Sequence, residues 1–285
     1  MVFNKLKKYG EMVMFSHTLF SLPFAVMSVL WAGNGLPTAT KFFWILIALF
    51  AARNGANAVN RIIDSEIDLK NPRTYNRHIP CGIIKKRNAI AFTIILFLIF
   101  ELAAYKINPL CFFLSPAAIF IFLFYSYTKR FTWFSHLILG IACGGAPVGG
   151  WIAVTGKLSL IPFIIGGGVA FWVAGFDIIY STQDIEFDRK EGLFSIPARF
   201  GLRKALIIAA FFHLISIMIL FLLRFIISTG FLYDMGILLC AALLLIEHKI
   251  VKPSNQGIMN WASYHINQII SIVYLTFSLA DFIVK

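Results

Sequence analysis

Asn60-Arg61-Ile62-Ile63-Asp64-Ser65-Glu66-Ile67-Asp68 closes an apolar run that begins near residue 41. Asp177-Ile178-Ile179-Tyr180-Ser181-Thr182-Gln183-Asp184-Ile185-Glu186-Phe187-Asp188 closes another, over 159–182. Each apolar run is long enough to cross a bilayer as a helix, which takes about 20 residues. Acids at the mouths of such helices are costly to place there and are usually functional. The chain holds only 13 acidic residues, and eight of them are Asp64, Glu66, Asp68, Asp177, Asp184, Glu186, Asp188 and Glu191. That concentration, in a chain with so few acids, marks the two segments as candidate sites.

Working outward, hydrophobic residues make up 59% of the chain and charged ones 13%, against roughly 25% charged in a soluble domain. Nine candidate spans follow, near 12–31, 41–63, 88–105, 107–127, 133–154, 159–182, 204–223, 226–246 and 259–284. The seventh and eighth are separated clearly only by Arg224. The expected fold is an all-α integral membrane protein, one domain over 1–285. No cleavable leader is expected, because the first apolar stretch is long and no small-residue cleavage site follows it.

A net charge of +12 can mark a nucleic-acid partner, but here the basic residues alternate between loops. With the N-terminus inside, the inner segments carry 19 of the 25 Lys and Arg and the outer segments 5 (Lys41, Lys106, Lys157, Arg224 and Lys285), with Arg53 inside a span. That asymmetry is the positive-inside pattern of a membrane protein. It predicts that the N-terminus and both acidic segments face the cytoplasm, and it leaves no nucleic-acid reading. Cys81, Cys111, Cys143 and Cys240 show no paired spacing and read as packing residues.

Asn60, Asp64 and Asp68 are spaced i, i+4, i+8, with Asn57 and Arg53 behind them on the same helical face. Asp177, Tyr180, Asp184 and Asp188, at offsets 0, 3, 7 and 11, also share one face. Glu66 and Glu186 lie off these stripes and are expected to have lesser roles. Carboxylates at i, i+4 repel, unless a cation lies between them. Mg2+ suits the pattern, since it takes oxygen ligands and bridges substrate phosphates. The bland alternative is a solvated helix end whose acids pair with nearby Lys and Arg; two matching segments on one side count against it. Basic segments follow both motifs: Lys70 to Gly82, with Arg73 and Arg77, and Arg189 to Arg199, with Lys190. Such side chains can hold phosphate oxygens, although ordinary topology charge explains part of them. A third polar island, Phe124-Tyr125-Ser126-Tyr127-Thr128-Lys129-Arg130, reads by itself as an anchored helix end. Arg53, inside a span, needs a polar surrounding: it either binds an anionic substrate group or pairs with Asp177.

At these residues the chain resembles the UbiA superfamily of intramembrane aromatic prenyltransferases. The family's Asn-x-x-x-Asp-x-x-x-Asp pattern matches Asn60, Asp64 and Asp68. Its second acidic motif matches Asp184 and Asp188, preceded by Asp177 and Tyr180, and its Tyr-x-x-x-Lys motif matches Tyr125 and Lys129. The runs Asn71 to Thr74, Arg77 to Gly82, Gly192 to Gly201 and Phe15 to Phe24 are also similar. There are two departures: Arg61 stands where many members have Asp, and His17 where many carry Arg.

The repetition of an acid-ended helix followed by a basic segment suggests two similar halves, and the resemblance implies a nine-helix bundle around a central cavity open to lipid. It also implies Mg2+, a polyprenyl diphosphate and an aromatic acid. The branch most resembled is the 4-hydroxybenzoate polyprenyltransferases of ubiquinone biosynthesis. That branch shades into enzymes that prenylate a dihydroxynaphthoate for menaquinone. Asn60, Asp64, Asp68, Asp184 and Asp188 are then expected to hold the metal. Arg73, Arg77, Tyr125, Lys129, Arg130, Tyr180 and Lys190, with Arg53 and Asn57, are expected around the substrates. Asp184 or Asp177 is expected to take a proton. The bilayer in view is the inner or plasma membrane of a bacterium. Two rival readings are a secondary transporter, whose acids would sit nearer the midplane, and a non-catalytic lipid-binding protein, which needs no such charge.

Overall fold

The computed structural model describes residues 2–14, 21–251 and 256–285, with side chains described from 7 onward in the first stretch and from 264 onward in the last. His17, most of the run Phe15 to Phe24 and Lys252 lie outside the described residues. In chain order the helices are α1 (Val2–Met12), α2 (Leu22–Gly33), α3 (Ala39–Ile63), α4 (Ser65–Lys70), α5 (Lys86–Ile107), α6 (Pro109–Thr128), α7 (Ser135–Thr155), α8 (Leu160–Ser181), α9 (Ile185–Lys190), α10 (Ile196–Phe200), α11 (Leu202–Ile227), α12 (Phe231–Ile250) and α13 (Gln256–Val284). A 3-10 turn, Thr182–Asp184, joins α8 to α9.

Eight helical stretches among the described residues are long and apolar enough to cross a membrane: those of α3, α5, α6, α7, α8 with its extension to Lys190, α11, α12 and α13. These match eight of the nine expected spans. The remaining one, expected over 12–31, is described at 12–14 and from residue 21, where it gives the shorter α2 of 12 residues. Many large apolar side chains on these helices are exposed, for example Leu98, Phe113, Phe120, Ile207, Phe225 and Leu238. In water such a surface would be an interaction site or a liability; around membrane-length helices it is the face that lipid covers. The chain is an integral membrane protein.

The chain divides into two compact units, Met1–Thr18 with Pro37–Tyr127, and Leu19–Leu36 with Thr128–Lys285. In the first, α3 packs on α5. Gly55 lets the Phe97 ring lie on its backbone, and a Cβ there would come within 2.6 Å of the ring. Met12 and Val13 are buried with Ala58, Ile84 and Ala89. Polar bonds fasten that segment: Asn57 Nδ2 donates to Val13 O (2.7 Å) and Arg61 Nε to Met12 O (3.3 Å).

The second unit has the larger core, centred on Phe24, Trp172 and Tyr274, with the Phe24 and Tyr274 rings stacked at 4.1 Å. Its interior carries a polar chain among α8, α12 and α13. Trp172 Nε1 donates to Asn267 Oδ1 (2.7 Å), and Asn267 Nδ2 to Glu247 Oε1 (2.8 Å). Buried polar groups must find partners because water is absent. The Asp281 carboxylate accepts from the Gly230 and Tyr233 N–H groups, so α13 supplies the cap that the start of α12 needs.

α7 and α8 cross closely. A Cβ added at Gly140 would overlap the Ala170 carbonyl, and one at Gly144 the Gly166 carbonyl. Small residues let helix backbones approach in this way. The pairing sets an antiparallel register: four residues up α7 correspond to four residues down α8.

Candidate active site

The first acidic cluster forms where α3 gives way to α4. The helix is interrupted at a single residue: α3 ends at Ile63, and Asp64 stands between the helices with φ −86° and ψ 0°. Backbone bonds still bridge the break, from Asp64 N to Asn60 O (2.9 Å) and from Asp68 N to Asp64 O (2.8 Å). The break has a local cause. Ser65 Oγ donates to Ile62 O (2.9 Å), the kind of side-chain bond that competes with the helix ladder.

Asp64 and Asp68 are buried, at 2% and 4% exposure. Asn60 Nδ2 donates to Asp64 Oδ2 at 3.0 Å. Arg77 Nη1 pairs with Asp68 Oδ1 at 2.6 Å. Asp68 Oδ2 is buried with no hydrogen-bond partner among the described residues. The loop that delivers Arg77 is held by Thr74 Oγ1 on Asp68 O (3.1 Å) and by Asn71 Oδ1, which accepts from Arg73 N (2.9 Å). Cys81, exposed on the same loop, donates to Tyr75 O.

Arg53 and Asn57 lie further back on α3, both half-buried. Asn57, expected among the substrate-binding residues, has its amide on the Val13 carbonyl. Arg61, one of the departures from the family pattern, reaches Met12 O and Met14 Sδ. It is an anchor for the segment after α1.

The second cluster is built differently. Ser181, Thr182 and Gln183 side chains donate in turn to the Ile178, Ile179 and Tyr180 carbonyls. These three i−3 bonds accompany the tightening into the 3-10 turn that carries Asp184. The expected continuous face from Asp177 to Asp188 is broken there for that reason. Asp177, Tyr180, Asp184 and Asp188 are all half-buried. Asp188 Oδ2 accepts from Ser195 Oγ at 2.8 Å. Ser195 in turn accepts from Ala198 N and caps α10. Asp184, Lys129 and His136 lie near enough to Asp188 to act on its charge. Phe194 N donates to Lys129 O at 2.7 Å, so the loop after the acids is tied to the segment bearing Lys129. Tyr125 sits in the last turn of α6, and Lys129 and Arg130 follow it, all half-buried. Lys190 is exposed at the end of α9.

His136 is the residue that sequence reading misses. It is 3% exposed, its Nδ1 lies 2.7 Å from Asp177 Oδ2, and its Nε2 accepts from Ile196 N at 3.3 Å. A lone histidine at the start of a span has no periodic signal. The readable clue is the Gly140/Gly144 spacing on the same helix, which marks the face of α7 that meets α8.

Among the described residues no three His, Cys, Asp or Glu side chains gather into a ready-made metal site. The donors nevertheless fit Mg2+. They are carboxylate and amide oxygens, and the unpartnered buried oxygen of Asp68 is a group that a cation would satisfy. Mg2+ binds through one or two carboxylates with water and substrate phosphates completing the shell, so a full protein cage is not required.

The UbiA prenyltransferase family profile matches residues 21–269. A 4-hydroxybenzoate solanesyltransferase of Synechocystis sp. is 31% identical over 209 residues, covering 73% of this chain and 71% of that protein. The apo structure of a UbiA homolog from Aeropyrum pernix K1 superposes with a TM-score of 0.86 at 30% identity, over 93% of this chain and 98% of the other. A UbiA homolog from Archaeoglobus fulgidus bound to GPP and Mg2+ shares the fold, with a TM-score of 0.71 at 22% identity over 96% and 99% of the two chains. With its acid-ended helices and matching profile, the chain belongs to the UbiA prenyltransferase family.

Proposed function

We propose that this protein transfers a polyprenyl group from an isoprenyl diphosphate to 4-hydroxybenzoate or a related hydroxy-aromatic carboxylate in quinone biosynthesis. The observation that carries the reading is the first cluster: two carboxylates nearly removed from solvent, one with an unpartnered oxygen, in an acid-poor membrane chain. Burying carboxylates is expensive even when each has a partner, and a site for a metal–diphosphate group accounts for two. The Synechocystis relative is named for action on 4-hydroxybenzoate, and the Archaeoglobus fulgidus homolog holds GPP with Mg2+.

In this reading the whole chain, 1–285, acts as one functional domain. Asn60, Asp64, Asp68, Asp184 and Asp188 hold Mg2+, which when bound withdraws charge from the diphosphate. Lys129, Arg73 and Lys190 neutralise the departing diphosphate, while Arg77 keeps Asp68 oriented through their 2.6 Å bond. Tyr125, Arg130 and Tyr180 line the approach of the prenyl diphosphate. Arg53 receives the carboxylate of the aromatic acid bidentately. The allylic C–O bond breaks, the ring carbon attacks the allylic carbon, and a carboxylate of the second cluster takes the ring proton. The protein lies in the inner membrane of a bacterium with its N-terminus and both clusters cytoplasmic, a placement supported by the 19-to-5 distribution of basic residues.

The test is incubation of membranes with labelled polyprenyl diphosphate and separate pools of 4-hydroxybenzoate and dihydroxynaphthoates. A prenylated 4-hydroxybenzoate is the expected product. A product formed only from a dihydroxynaphthoate moves the enzyme to the menaquinone branch. Label flux into vesicles without any covalent product defeats the reading in favour of transport. Reporters fused after Lys70 and Lys190 are expected to read cytoplasmic, and one after Lys157 external. A cytoplasmic Lys157 fusion overturns the orientation.

A further inference from the structure

We infer that His136 is a positioning residue that holds Asp177, and no other acid of the second cluster, as the base of the transfer; the inference rests on the proposed reaction.

The glycine seam delivers the pair. Gly144 meets Gly166 and Gly140 meets Ala170, so one more turn brings residue 136 level with 174. Asp177 lies three residues further on, and helical side chains tilt back toward their own N-terminus. The carboxylate therefore returns to the level of the imidazole, and the two close to 2.7 Å. Nε2 of His136 accepts the Ile196 N–H, so the ring proton resides on Nδ1. His136 is thus a donor to Asp177 Oδ2 and takes no proton from it. Among the described residues, His136 is the side chain hydrogen-bonded to Asp177. The other carboxylate oxygen, Oδ1, remains on a half-buried residue.

This is the arrangement a carboxylate base needs: one oxygen fixed by a neutral donor, the other available. Asp188 is held in the same manner by the Ser195 hydroxyl, but the proposed reaction commits Asp188, with Asp184 on the 3-10 turn, to the metal, which leaves Asp177 for the proton. In the transfer, the allylic C–O electron pair leaves with the diphosphate and the new C–C bond forms from the ring. The ring C–H bond then breaks, its electrons restoring aromaticity and its proton passing to Asp177 Oδ1. The resulting carboxylic acid later releases that proton to water.

Two substitutions separate positioning from mere anchoring of the loop at Ile196. His136→Asn places an amide where Nδ1 was, keeping a donor to Asp177 and giving up Ile196. His136→Gln places its amide where Nε2 was, keeping Ile196 and giving up Asp177. Measured in the full-length enzyme, kcat is expected to fall roughly 10-fold to 100-fold in the Gln variant and about 3-fold in the Asn variant. KM for prenyl diphosphate should stay near wild type in both. With an acceptor deuterated at the ring carbons, the Gln variant should show a primary isotope effect larger than that of wild type, because proton removal has become limiting. Asp177→Asn, which can still accept from His136, should show the same isotope effect and a loss of at least about 100-fold.

If the Asn variant is the poorer enzyme, or the isotope effect is unchanged in both the Gln variant and Asp177→Asn, the inference fails while the reaction stands. Wild-type protein that prenylates no aromatic acid removes both. Should the Gln variant not fold, Asp177→Asn decides alone, and near-normal turnover by it overturns the inference.

Discussion

The two acidic clusters share a spacing logic but solve opposite problems. The first is buried and supported from its own neighbourhood: Asn60 on the same helix, Arg77 nine residues after Asp68. The second is half-open and held partly from its own loop, by Ser195 seven residues after Asp188, and partly from a different helix, by His136. The difference teaches that equal charge patterns can carry unequal energetic burdens. In the first cluster, removing a partner strands a charge in a dry site. In the second, water can take over part of a lost bond, so chemistry suffers before stability does.

The largest effect expected is on turnover. Asp64→Asn and Asp184→Asn should each reduce prenyl transfer to below about 1% of wild type, with the proteins still monodisperse in detergent. Excess EDTA should do the same reversibly. Full activity in EDTA would remove the metal from both clusters at once. Nearly as large is the effect of Gly140→Leu, which drives a side chain into the Ala170 backbone and separates α7 from α8. It should lower Tm by several degrees or prevent folding, and should cost the second cluster more than the first. A variant with unchanged Tm and activity would mean the seam does not set the site.

Between the clusters the contrast can be sharpened directly. Arg77→Gln leaves Asp68 buried without its cation and is expected to cost about 3 kcal/mol of stability. Ser195→Ala should cost about 1 kcal/mol, with the larger share of its effect on kcat. Thermal unfolding of the two variants side by side tests the ordering, and equal losses would dissolve the distinction. The smallest effect belongs to Arg53→Gln. If Arg53 receives the acceptor, KM for the aromatic acid rises by about 10-fold while that for prenyl diphosphate stays. A normal acceptor KM ends that role.

Much of this was legible in the chain before any coordinates. Spans long enough to cross a bilayer follow from hydropathy, because lipid requires helices of a set length. The acids stood out because so few others exist. What was not legible depends on choices a side chain makes between partners. Ser65 and the Ser181–Thr182–Gln183 run took backbone carbonyls where the helix is interrupted at each motif, yet the same residue types also sit in unbroken helices. Asn57 shares the helical face of Asp64 but bonds to Val13, which approaches only after folding. His136 became visible once the seam between α7 and α8 fixed what lies opposite it.

Cys81 offers a last consequence. It is exposed, while Cys111 is half-buried in α6 and Cys143 and Cys240 are buried, and it rides on the loop whose Arg77 grips Asp68. A maleimide dye should therefore attach there preferentially in the native sequence. Its fluorescence would follow the loop in real time as diphosphate is added, giving a binding assay that needs neither an engineered thiol nor turnover.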